Sequence, residues 1–116
     1  MAEIQRLQPG ELFSGAVIHG DTVWLSGKVA SDPTGDVREQ TRDILEQIDT
    51  TLEACGTSRS RLLSVQIWLA DIADWATMNE VYTAWIDPGN KPCRATVEAA
   101  LASPDLLVEI MCVAAR

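Results

Sequence analysis

Two charged residues stand inside apolar, strand-like runs: Arg94 in Pro92-Cys93-Arg94-Ala95-Thr96-Val97, and Glu109 in Leu106-Leu107-Val108-Glu109-Ile110-Met111. An unpaired buried charge is expensive, so each needs a partner, a ligand or an interface. A guanidinium fork is suited to gripping a carboxylate through two parallel N–H bonds. A carboxylate can aim or deprotonate a water molecule. Other chemistry-bearing types are sparse. His19 is the sole histidine and sits beside Gly20-Asp21 in a turn, so it reads as an exposed turn residue rather than a general base. Cys55, Cys93 and Cys112 form no Cys-x-x-Cys pair, and one histidine leaves a poor ligand set for zinc, so no metal is expected. Alternation puts Cys93 and Cys112 on an apolar face, and Cys55 falls near a helix end; all three read as packed thiols.

The elements that must hold Arg94 and Glu109 follow from periodicity. Ile4 and Leu7 suggest a short edge strand before Pro9-Gly10. Two β-rich runs, 13–18 and 22–26, flank His19-Gly20-Asp21 as a hairpin. Asp36, with Glu39 three residues on, marks a helix start. Val37, Thr41, Ile44, Leu45, Ile48 and Leu52 then keep a 3.6-residue period until Gly56 stops the helix. Residues 61–70 alternate, with Leu63, Val65, Ile67 and Leu69 on one face and Ser64, Gln66 and Trp68 on the other. Asp71 or Asp74 caps a second helix whose stripe is Trp75, Met78, Val81, Tyr82 and Trp85. Residues 92–115 close the chain as two strands around Ser103-Pro104-Asp105, read as a hairpin. The order β-β-α-β-α-β-β predicts an α+β fold with both helices on one face of a single sheet.

That hairpin assigns faces. Cys93, Ala95, Val97, Ala99 and Leu101 make an apolar set opposite Arg94, Thr96 and Glu98. Leu106, Val108, Ile110, Cys112 and Ala114 make a second, opposite Leu107, Glu109, Met111 and Val113. Pairing Leu101 with Leu106 places both apolar sets under the helices and both Arg94 and Glu109 on the helix-free face. Glu109 then lies across from Glu98, about 13 Å along from Arg94, so the two do not touch within one chain. With Ser64, Gln66 and Trp68, this face is too apolar for solvent and too polar for a closed core. It is expected to pack against other copies of the chain, with clefts at the seams.

A chain of 116 residues fits one domain, 1–116. A net charge of −8 with scattered basic residues argues against nucleic-acid binding. No apolar run approaches the ~18–20 residues that span a bilayer, and the N-terminus lacks signal-peptide character, so no membrane association and a cytoplasmic location are expected.

At Arg94 to Val97 and Leu107 to Ile110 the sequence resembles the RidA/YjgF family of reactive-intermediate deaminases, as a divergent branch. The likeness extends to Trp24-Leu25-Ser26-Gly27, Gln40-Thr41-Arg42, Asp74-Trp75-Ala76-Thr77-Met78-Asn79 with Tyr82, and Val113-Ala114-Ala115. It implies a chorismate-mutase-like (bacillus-type) α+β fold: a single mixed β-sheet, two α-helices on one face, assembled as a homotrimer with clefts between subunits. It also implies cofactor-independent hydrolysis of 2-imino and 2-enamino acids to 2-oxo acids and ammonia. By position, Arg94 would hold the substrate carboxylate and Glu109 would position or deprotonate water. Phe13, Ser26, Gly27, Asn79 and the backbone near Thr96 would line the cleft. The chain departs from the family at Glu11-Leu12-Phe13-Ser14-Gly15, where a Gly-Pro-Tyr-Ser-Gln-like segment supplies a tyrosine, and at Lys28, where glutamine is frequent. The alternative reading is a non-catalytic trimer binding small carboxylates. Ribonuclease activity, also associated with the family, is disfavoured by the acidic balance and the lack of a histidine pair.

Overall fold

The computed structural model describes residues 2–116. One six-stranded sheet carries two helices on one face. The strands are β1 (Ile4–Pro9), β2 (Ser14–His19), β3 (Thr22–Leu25), β4 (Leu62–Leu69), β5 (Cys93–Glu98) and β6 (Val108–Ala115); the helices are α1 (Val37–Ala54) and α2 (Trp75–Trp85). The spatial order is β1-β2-β3-β6-β4-β5. All neighbours are antiparallel except β4 and β5, so the sheet is mixed.

Local chemistry sets the helix ends. The Asp36 side chain accepts the Glu39 N–H at 2.9 Å and opens α1. At its other end Gly56 adopts φ 78°, which lets its N–H reach the Glu53 carbonyl and the Thr57 N–H reach that of Leu52. Asp71 caps a short 3-10 turn through the Ala73 N–H, and α2 follows from it. The apolar stripe of α1 (Ile44, Leu45, Ile48, Leu52) meets Val65, Ile67, Val108, Ile110 and Cys112 from the sheet, together with Met78, Val81 and Tyr82 of α2. Trp75, assigned to that stripe by periodicity, is instead 50% exposed. It is the first residue of α2 and faces the groove shared with Lys91, Pro92 and Arg94 rather than the core.

The closing segment is not a hairpin. β6 inserts between β3 and β4, and β5 runs parallel to β4 at the sheet edge. The connection 99–107 steps across the end of β4, bonded to it through Ala99 N–Leu69 O (2.9 Å) and Ala70 N–Leu107 O (3.0 Å). Gln40 holds it from α1. This buried side chain donates to the Asp105 and Gly35 carbonyls at 2.9 and 3.0 Å and accepts the Leu107 N–H at 3.0 Å.

The new pairing reverses β5. Arg94, Thr96 and Glu98 stand opposite Val65, Ile67 and Leu69, on the helix side. Cys93, Ala95 and Val97 occupy the helix-free face, so Cys93 is exposed rather than packed. Cys112 and Cys55 are buried as expected, and burial pushes the Cys112 thiol up to about 12. In β4 a register shift between Leu62 and Ser64 turns Leu63 outward and puts Leu62 in the core.

Candidate functional site

The first cluster is built on α2 and β5. Asn79 and Tyr82 are three residues apart on α2 and so project from one side of the helix. Arg94 Nη1 donates to Asn79 Oδ1 at 2.8 Å, and the guanidinium carbon lies 4.8 Å from the Tyr82 ring centroid. An aromatic face below and an amide at one edge fix the plane of the guanidinium. Its remaining N–H groups have no protein partner among the described residues. Burial raises the Tyr82 hydroxyl pKa, partly offset by Arg94. Two residues on along β5 and on the same face, Thr96 Oγ1 is buried without a hydrogen-bond partner.

The second cluster gathers around the turn between β1 and β2. A Gly10 N–Phe13 O bond of 2.8 Å closes the turn and leaves Phe13 66% exposed. The Gly15 carbonyl accepts three bonds: Ser26 N–H at 3.1 Å, Ser26 Oγ at 3.2 Å and Lys28 Nζ at 3.3 Å. They tie the Phe13 turn to the Ser26-Gly27-Lys28 segment, and these residues line a groove of about 590 Å³. Desolvation lowers the pKa of Lys28. Glu109 joins this cluster through Gly27, because a Cβ at Gly27 would collide with the Glu109 carboxylate.

The expected site residues therefore fall into two groups. Arg94, Asn79 and Thr96 are on the helix side near the β5 edge; Phe13, Ser26, Gly27 and Glu109 are gathered elsewhere. Glu109 pairs with Trp68 on the helix-free face, as predicted, but Arg94 does not share that face. Two strand spacings of ~4.8 Å and three residues of ~3.3 Å separate their backbones, and their side chains diverge from opposite sides of the sheet. The expectation that they do not touch holds for a different reason than the hairpin argument gave. Sequence reasoning missed Tyr82 as the platform under Arg94; its spacing from Asn79 was the available signal.

The helix-free face carries Trp24, Gln66, Trp68, Ala95, Val97 and Met111, with Trp24 52% exposed. Exchanging Arg94 and Thr96 for Cys93, Ala95 and Val97 makes it more apolar than the sequence pattern suggested. Among the described residues, no three His, Cys, Asp or Glu side chains converge as a metal site. No helix is long and apolar enough to cross a membrane.

The sequence profile described as Endoribonuclease L-PSP matches residues 3–116. The RutC family protein YoaB of Escherichia coli is 41% identical over 112 residues, covering 97% of both chains. A YjgF-family crystal structure from Neisseria meningitidis superposes with a TM-score of 0.95 at 38% identity, covering 98% of this chain and 95% of that one. The chain belongs to the YjgF/RidA family. A crystal structure from Pseudomonas aeruginosa matches equally well, with a TM-score of 0.95 and 42% identity over 98% of this chain and 99% of that one. The YjgF/RidA fold thus accounts for β6 in mid-sheet and β5 at the edge.

Proposed function

We propose that this protein hydrolyses 2-imino and 2-enamino acids to 2-oxo acids and ammonia, in clefts that a neighbouring copy completes within a homotrimer. The observation that carries the reading is the held guanidinium of Arg94. With Asn79 on one edge and Tyr82 beneath, it offers its free edge to a substrate carboxylate and costs little further ordering on binding. Water adds to the imine carbon to give a carbinolamine; the C–N bond then breaks, nitrogen leaves as ammonia and the oxygen becomes the new carbonyl. Glu109 aims the water and relays its proton towards nitrogen. An imine is already electrophilic, so water is the only co-reactant and no cofactor is invoked. Phe13, Ser26 and Gly27 wall the cleft beside Glu109, and the backbone around Thr96 lies beside Arg94.

The split between the Arg94 and Glu109 clusters is the argument for a second copy, since one chain cannot present both to a small substrate. The same split favours one competing reading, a trimer that binds small carboxylates through Arg94 without turnover. Cleavage of RNA, suggested by the family profile's description, has less support: the net charge is −8 and the one histidine, His19, is exposed at the end of β2.

Imines generated by an amino-acid oxidase, with oxo-acid formation followed in time, separate these readings. Wild-type protein accelerates release, Arg94→Ala abolishes the acceleration, and Glu109→Gln retains oxo-acid binding but loses turnover. No acceleration for any of several side chains would sink the deaminase reading.

A further inference from the structure

The groove into which Arg94 projects has more to recognise with than one carboxylate requires. It occupies about 890 Å³ between α2 and the segment entering β5. Trp75, Ala76, Ile86 and Pro92 give it apolar walls, and the exposed Lys91 and half-buried Arg94 both line it. The one acid on the wall, Glu80, is engaged by Arg38 at 2.7 Å. Lys91 forms no ion pair among the described residues. The chain has 9 basic residues against 17 acidic, so two cations in one groove are a local reversal of the molecule's field.

Spacing turns that charge into a ligand class. Lys91 precedes Pro92 in the segment that enters β5 at Cys93, and its side chain lines the same groove as that of Arg94; three residues of chain hold their Cα atoms no more than about 10 Å apart. The flexible four-carbon stem of lysine shortens this to the span of a short diacid. A small neutral side chain would leave Lys91 unengaged and the half-exposed Trp75 uncovered.

We propose that this groove selects 2-imino and 2-oxo acids bearing a second carboxylate: Arg94 takes the carboxylate beside the reacting carbon, Lys91 takes the distal one, and Trp75 and Ile86 cover the methylenes between. The inference deepens the reading above and rests on it for the role of Arg94. Discrimination arises as a difference of affinities, with Lys91 contributing only to the diacid.

The test is calorimetric titration of the intact protein with 2-oxoglutarate and 2-oxobutanoate, run beside the imine turnover assay. Wild type binds the diacid more tightly, and Lys91→Gln narrows the ratio of the two affinities about three- to fivefold, the effect of a solvent-exposed ion pair. Lys91→Arg keeps the ratio. Equal affinities in the wild type, or a ratio unmoved by Lys91→Gln, would overturn the proposal. A diacid preference without turnover of any imine upholds this inference and removes the deaminase reading. Turnover of neutral imines with no diacid preference does the reverse.

Discussion

Gly27 and Glu109 share a space that admits no methyl group. The colliding atom is the far end of a flexible side chain, so Gly27→Ala displaces the carboxylate and leaves the backbone in place. If Glu109 aims the water as proposed, then, since misplacing a catalytic group by about 1 Å can cost a hundredfold, Gly27→Ala is expected to lose about that factor in kcat/KM with a nearly unchanged unfolding midpoint. A large loss of stability, or full activity, would contradict this placement of Glu109. The residue types were legible in the sequence: a charge within an apolar run marked both Arg94 and Glu109. Their faces were not. Alternation tells which residues of a strand share a side, but only the neighbouring strand says which side is covered.

The missing information lay in which elements touch. A turn signal at Ser103-Pro104-Asp105 suggested a hairpin, yet the connection is long enough to step over β4. The clue was Gln40, a buried polar residue on the apolar stripe of α1, which had to find partners somewhere. It finds two of its four in the crossing connection, 65 and 67 residues away in sequence, and the other two at the Pro33 and Gly35 carbonyls. Gln40→Ala removes these bonds together and leaves a cavity beside unpaired backbone groups. It is expected to cost about 3 kcal/mol, read as a lowered urea midpoint. A change within experimental error would mean that the connection holds itself. Elements whose signals are local, namely both helices, their Asp36 and Gly56 boundaries and the first hairpin, were legible because capping and periodicity need no knowledge of distant neighbours.

At the scale of the molecule, the sheet has one face covered by helices and one that no described residue covers. Trp24 and Met111 lie on the open face, at the β3 and β6 positions nearest its centre. Exposed apolar patches of this kind mark interfaces. On the proposed shared cleft, the double variant Trp24→Arg, Met111→Arg is therefore expected to sediment as a monomer, keep its helical content and lose imine turnover. A wild type that is itself monomeric at micromolar concentration, or an active monomeric variant, would refute the shared-cleft arrangement.

The mid-sheet position of β6 also bears on how the protein is made. Its residues follow those of the other five strands in sequence, yet β3 and β4 have no shared partner until it arrives. A nascent chain synthesised as far as residue 105 holds two open-edged half-sheets and a helix pair with part of its floor missing. Contacts of such long sequence separation form late and slowly, and exposed strand edges invite association with other chains in the interval. Completion of the fold is thus a single late event. A ribosome stalled before β6 emerges should display a protease-sensitive chain, and release should bring protection to all six strands at once.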